Sequence, residues 1–117
     1  MSRRDNPSDD RLSNDRVDAV FAALSDPTRR SVLDRLARGP SASATELAAG
    51  LPVSRQAVVK HLQALDQAGL ATPTREGREV RYALTPGPLE DAVGWMVDVG
   101  AEWDRRLARL RRQLERR

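Results

Sequence analysis

The feature that most constrains the fold is an apolar repeat near the end of the chain. Its members recur at alternating steps of four and three residues: Leu89, Val93, Met96, Gly100, Trp103, Leu107, Leu110 and Leu114. This spacing is typical of an amphipathic helix, which over this stretch extends about 39 Å. A chain of 117 residues forms one small domain and cannot cover so long a stripe with its own side chains. The repeat therefore predicts a helix at residues 88–114 that packs on a partner helix, most simply that of a second copy.

Composition argues against several classes of protein. The chain has no cysteine and one histidine, so it lacks the usual ligands of thiolate metal sites and the residues of a disulfide framework. It has no run of about 18 apolar residues and its first twenty residues are charged throughout, so we expect neither a membrane span nor a secretory signal. No paired carboxylates stand in a recognisable catalytic motif. We therefore expect a cytoplasmic protein that is not an enzyme and needs no cofactor.

The first half of the chain predicts two helices after a tail. Residues 1–13 are polar and without periodicity, which is typical of a disordered tail, and residues 14–117 are expected to form the single domain. Apolar residues at helical spacing predict a first helix that ends before Ser25. Asp26 is a good N-cap and Pro27 suits the first position of a second helix. Gly39-Pro40 ends that helix.

The middle of the chain predicts a helix-turn-helix. Residues 45–49 form a short helical segment closed by Gly50, and Ser54 is a favourable N-cap for a longer helix that ends at Gly69. Two helices joined by a three-residue turn have the spacing of this motif, whose second helix can enter a DNA major groove.

The apolar period then changes from 3.6 to 2, which predicts a β-hairpin over residues 70–84. Glu76-Gly77 provides its turn, and Pro73 belongs on an edge strand because it cannot donate to a ladder. The expected fold is mainly α with a small β-hairpin, in the order α-α-α-α-β-β-α.

Charge clusters on the predicted helix-turn-helix and hairpin, where residues 54–81 carry a net charge of +2. Arg pairs with guanine, Gln with adenine and a hydroxyl with phosphate, and hairpin arginines suit a minor groove. The predicted DNA contacts are Thr45, Ser54, Arg55, Gln56, Val59, Lys60, His61, Arg75, Arg78 and Arg81. Each group of residues has an alternative to DNA contact: the start of the helix is simply capped and solvated, the hairpin arginines pair with glutamates across the hairpin, or His61 is packed against the apolar face. The arginines of residues 105–117 complement the helix dipole and need no DNA to explain them.

Apolar stripes on the first and last helices predict a dimer interface. Its expected members are Val17, Val20, Phe21, Leu24, Leu89, Val93, Met96, Trp103, Leu107 and Leu110. A ligand pocket around Trp95, Met96 and Trp103 is the alternative, although an aromatic and Met stripe at helical spacing is more often core or interface.

Three stretches resemble the ArsR family of bacterial winged helix-turn-helix regulators over residues 17–114. They read VFAALSDPTRRSVLDRLARG, TELAAGLPVSRQAVVKHLQALDQAGL and TREGREVRYAL. The resemblance implies a homodimer joined by its first and last helices. It also implies that two recognition helices face successive major grooves of a palindromic operator and that the protein represses transcription.

The family's metal sensors bind through Cys in the helix before the recognition helix, or through Asp and His on the last helix. Residues 46–50 here read ELAAG, and the last helix has no His. The chain therefore resembles the non-metal-sensing branch, with no metal site. Double-stranded DNA and a second copy are the expected partners, and the resemblance leaves room for a small-molecule or protein inducer.

The competing hypothesis is a protein-interaction module in which the long helix recruits another protein and the winged domain is only a scaffold. Arg55 and Gln56 distinguish the two hypotheses, because a scaffold gains nothing from them at an exposed helix N-terminus.

Overall fold

The computed structural model describes residues 7–116 of the chain. Five helices and three strands follow one another as α1 Pro7–Leu24, α2 Pro27–Ala37, β1 Ala42–Ser43, α3 Ala44–Ala49, α4 Arg55–Gln67, β2 Ala71–Glu76, β3 Glu79–Leu84 and α5 Gly87–Glu115. This confirms the predicted winged helix-turn-helix, with one strand, β1, in addition.

Helix α1 begins earlier than its apolar pattern predicts. It starts at Pro7 rather than at residue 14, so residues 7–13 of the predicted tail are helical. Proline without an amide hydrogen is well suited to a first helical position. Residues 1–6, the rest of the predicted tail, lie outside the described residues.

Side-chain caps fix the start of the three helices that follow α1. The Asp26 carboxylate accepts the Arg29 amide at 3.1 Å at the start of α2, and Ser43 Oγ accepts the Glu46 amide at 3.2 Å at the start of α3. Ser54 Oγ accepts the Ala57 amide at 3.1 Å at the start of α4. The predicted N-caps of α2 and α4 are therefore confirmed. Each satisfies an amide that the helix leaves without a partner.

The sheet is antiparallel, with strand order β1-β3-β2. Strand β2 lies at an edge, which confirms the predicted position of Pro73. The loop that joins β2 and β3 is Gly77-Arg78, one residue later than the predicted Glu76-Gly77, because Glu76 still pairs with Glu79. Gly77 has φ +63°, as a glycine-first hairpin turn requires. Strand β1 is only two residues long, and it pairs with Tyr82 and Arg81 of β3.

The core lies between α1, α2, α4 and the base of the hairpin. Its largest fully buried side chains are Val20, Val32, Leu36, Val58, Leu62, Leu65 and Leu70. Val17 is also buried, and Leu24 and Leu89 pack against this core.

The prediction that Val17 and Val20 form the dimer interface is therefore wrong. Both are covered by the chain itself, because α1 packs on α2 and α5 of the same chain. Leu24 and Leu89 are half-buried by the same packing.

Helix α5 is largely exposed along its length. Only Ala92 on it is buried, and Trp95 meets Phe21 of α1 edge to face, with ring centroids 5.6 Å apart. The apolar residues exposed along α5 are Val93, Trp95, Met96, Val97, Val99, Trp103, Leu107, Leu110 and Leu114. Between residues 7 and 116, no helix combines the length and the apolar character that crossing a membrane requires.

Candidate nucleic-acid interface

The polar face of α4 is turned to solvent. Arg55, Gln56 and Lys60 are exposed on its first two turns, while Val58 and Leu62 on the other face are fully buried. Burial of the apolar face holds the helix in place, and the exposed face carries the residue types that pair with bases and phosphates.

A hydrogen bond across the turn orients Arg55. Its Nε donates to Thr45 Oγ1 of α3 at 3.1 Å. Both Nη atoms stay available for a bidentate contact, since a guanidinium carries five N–H donors. Ser54 Oγ accepts the Ala57 amide, and its hydroxyl hydrogen can still be donated to a phosphate.

An open cleft of about 490 Å³ separates α3 and α4 from the hairpin. Four predicted contact residues line it: Thr45, Arg55, Val59 and Arg78. Glu79, Val80 and Tyr82 also line it, and the sequence analysis did not select them. The signal was present, because Val80 and Tyr82 alternate along β3 and so share a face of the strand that Arg78 of the turn directly precedes.

The tip of the hairpin carries two exposed arginines, Arg75 and Arg78. Neither forms an ion pair within the described part of the chain. The alternative of Arg–Glu pairs across the hairpin therefore does not apply to these two side chains.

Arg81 differs from the other hairpin arginines. Its side chain is 20% exposed and forms ion pairs with Glu46 at 2.7 Å and Glu79 at 3.4 Å. The hydrogen bond from Arg81 lowers the pKa of the Glu46 carboxyl, and the same bond raises the pKa of the guanidinium. Arg81 is thus part of an internal network rather than of the exposed contact surface, which corrects its predicted placement.

His61 is half-buried, and it is not among the residues that line the cleft. The pKa of Asp26 is lowered mainly by the hydrogen bond from the Arg29 amide, and His61 contributes a smaller electrostatic effect. The Nδ1 atom of His61 is buried without a hydrogen-bond partner among the described residues, which favours the packed alternative over a DNA contact.

Within residues 7–116, no three His, Cys, Asp or Glu side chains are grouped so that they could hold a metal ion.

Comparison with known proteins also points to the helix-turn-helix. A family model described as a helix-turn-helix domain matches residues 24–74. The transcriptional repressor SdpR of Bacillus subtilis is 37% identical over 68% of this chain and 87% of its own length. The HTH-type transcriptional regulator Rv2034 of Mycobacterium tuberculosis is 41% identical over 77% of this chain and 80% of its own length.

The fold is shared with solved structures. An ArsR-like transcriptional regulator from Rhodococcus sp. RHA1 is 45% identical, with a TM-score of 0.76 over 85% of this chain and 92% of that one. A crystal structure of another ArsR family transcriptional regulator is 31% identical, with a TM-score of 0.70 over 78% of this chain and 93% of that one. From the helix-turn-helix, the wing and these relatives, we conclude that the chain belongs to the ArsR family of DNA-binding transcriptional regulators.

Proposed function

We propose that the protein is a homodimeric repressor that binds a palindromic operator. The first two turns of α4 enter a major groove, and the tip of the β2–β3 hairpin reaches the adjacent minor groove. The observation that carries this proposal is the cleft between α4 and the hairpin, which Arg55 and Arg78 line from its two sides.

The contact residues divide by their chemistry. Arg55, held by Thr45, and Gln56 read base edges, and Val59 offers an apolar contact to a thymine methyl group. Ser54 and Lys60 contact phosphates and set the position of α4 on the duplex. Arg75 and Arg78 supply positive charge at the minor groove.

The exposed face of α5 supports the homodimer. Met96, Trp103 and Leu107 are each about half exposed, and they continue a stripe on a helix about 43 Å long. A continuous apolar patch of this kind marks an interface, and a two-fold axis lets the same face cover itself. Phe21 of α1, 38% exposed beside Trp95, extends the patch.

The relatives support the same assembly and the same direction of regulation. One structural neighbour is a homodimeric winged helix-turn-helix DNA-binding domain from Mycobacterium bovis, 28% identical, with a TM-score of 0.60 over 89% of this chain and 91% of that one. SdpR of Bacillus subtilis is a transcriptional repressor. Assignment to the non-metal-sensing branch stays a prediction that rests on the absence of cysteine from the chain and of histidine from the last helix.

The direct test is binding to the DNA immediately upstream of the protein's own gene, titrated with salt against a scrambled duplex of equal length. If each protomer neutralises about three to four phosphates, the slope of log affinity against log salt is about −6 for the dimer. We expect a preference of at least about a thousandfold for the upstream DNA. Weak and equal binding to both duplexes would contradict autoregulation and favour a partner-recruiting role for α5.

A further inference from the structure

The guanidinium of Arg81 has an acceptor for each of its five N–H groups. Nε donates to Ser41 Oγ at 2.9 Å, and Nη2 donates to the Ser41 carbonyl at 3.0 Å and to Glu46 Oε2 at 3.2 Å. Nη1 donates to Glu46 Oε1 at 2.7 Å and to Glu79 Oε2 at 3.4 Å. Because arginine has five such hydrogens, no donor is left for a phosphate.

These bonds join parts of the chain that are distant in sequence. Ser41 precedes β1, Glu46 belongs to α3 of the helix-turn-helix and Arg81 is in β3 of the hairpin. Two parallel hydrogen bonds join Arg81 to the Glu46 carboxylate. This bidentate geometry fixes the orientation of the two side chains as well as the distance between them. The pairing of β1 with β3 is only two residues long, and the Arg81 network adds a direct polar connection between the hairpin and α3.

The Arg81 network lies close enough to the tip of the hairpin to control where the tip stands. Arg78, in the turn that precedes β3, lies three residues before Arg81, which is at most about 10 Å away at about 3.3 Å per residue. Strand β2 is exposed from Thr72 to Glu76, so little else restrains the tip. A small rotation of the strand at Arg81 therefore displaces Arg78 relative to Arg55 across the cleft.

We propose that Arg81 is a positioning residue that locks the hairpin against α3 through Glu46 and Ser41, and so sets the distance between the wing tip and the recognition helix. It acts on DNA binding without touching DNA. This inference rests on the proposed DNA-binding function. It predicts that replacing Arg81 lowers the affinity for DNA but leaves the slope of log affinity against log salt unchanged.

The first test compares Arg81→Ala with Arg78→Ala on operator DNA. Loss of the positive charge that Arg78 brings to the DNA reduces the salt slope by about 1 per protomer. We expect Arg81→Ala to weaken binding roughly tenfold, about what one lost contact is worth, with an unchanged slope. A slope that falls as it does for Arg78→Ala would overturn the proposal and restore Arg81 as a phosphate contact.

The second test uses the other side of the network, with Glu76→Gln as the matched control. Both Glu46→Gln and Glu76→Gln remove one negative charge, but Glu76 at the wing tip forms no ion pair within the described chain. The proposal expects Glu46→Gln to bind operator more weakly than Glu76→Gln, because the hairpin is released. If Glu46 instead restrains a DNA-contacting Arg81, Glu46→Gln binds more tightly than the control, and the proposal fails.

Hydrogen exchange of the DNA-free protein separates positioning from general stability. In Arg81→Ala we expect faster exchange at the amides of β2 and β3 and unchanged exchange at Leu62 and Leu65 in the core of α4. Equal acceleration in both places would overturn the proposal. Failure of the wild-type protein to bind any duplex would instead refute the proposed function, since the exchange experiment needs no DNA.

Discussion

Helices α4 and α5 are both amphipathic, yet their apolar faces have different surroundings. Val58, Leu62 and Leu65 of α4 are 0% exposed, whereas Leu107 and Leu110 of α5 are 50% and 51% exposed. The periodic pattern is the same kind of signal in both helices. The difference teaches that amphipathicity identifies the face that avoids water but not whether the same chain or another one covers it.

The comparison predicts its largest effect in the core of α4. Leu62→Ala leaves a cavity in a fully packed site and should lower the free energy of unfolding by about 2–5 kcal/mol. Chemical denaturation followed by circular dichroism measures this loss. Leu110→Ala on α5 is the matched control. At low protein concentration, where dimers dissociate, it should lower the free energy of unfolding much less than Leu62→Ala does. Equal losses of unfolding free energy in the two variants would contradict the difference in burial between the apolar faces of α4 and α5.

A charge in the exposed stripe of α5 should act on assembly rather than on folding. Leu107→Glu places a carboxylate in the proposed dimer interface, and we expect the dimer to weaken about 30-fold, equivalent to about 2 kcal/mol. Light scattering coupled to size exclusion measures the mass, and circular dichroism checks that the monomer stays folded. Ala101→Glu, which adds the same charge on another face of α5, should leave the mass unchanged. A Leu107→Glu protein that remains fully dimeric would show that another surface joins the copies.

The exposed face of α4 should separate sequence reading from general attraction. Arg55→Ala should cost about 1–3 kcal/mol on operator DNA and reduce the preference over scrambled duplex. Lys60→Ala should weaken both duplexes evenly and lower the salt slope by about 1 per protomer. Fluorescence anisotropy with both duplexes measures the two losses. Equal losses on operator and scrambled DNA for Arg55→Ala would refute its base-reading role.

The smallest expected effect is the pH response of α5. The hydrogen bond from Arg105 holds the pKa of Glu102 below its ordinary value of 4.5. Its stabilising contribution is therefore present above pH 4.5 and is lost as the pH falls through the lowered pKa. Melting curves of wild type and Glu102→Gln should differ slightly at pH 7 and converge as the pH falls through the lowered pKa of Glu102. A difference that grows in acid would contradict this ion pair.

Much of the fold follows from local chemistry that the sequence displays. Asp26 and Ser54 begin their helices where the pattern predicts, because N-cap hydrogen bonds involve residues only three positions apart. The hairpin turn at Gly77 is equally local, since it depends on a positive φ that glycine adopts freely.

The features that the sequence analysis missed depend on distant partners. Strand β1 is too short to show alternation and exists through its pairing with Tyr82. Val20 belongs to the chain's own core because α2 and α5 cover it, which its spacing alone does not reveal. Local sequence places Arg81 with the wing contacts because its acceptor, Glu46, lies 35 residues earlier and leaves no local signal.

Because both tryptophans of the chain lie on α5, the contrast between α4 and α5 can be followed by fluorescence. Trp95 and Trp103 are the only tryptophans, both lie on α5, and they are 47% and 58% exposed. The helix-turn-helix and the wing contain none. Intrinsic tryptophan emission therefore reports on α5 and on its contact with Phe21 of α1. A blue shift with rising protein concentration would follow the association of two copies without any attached dye.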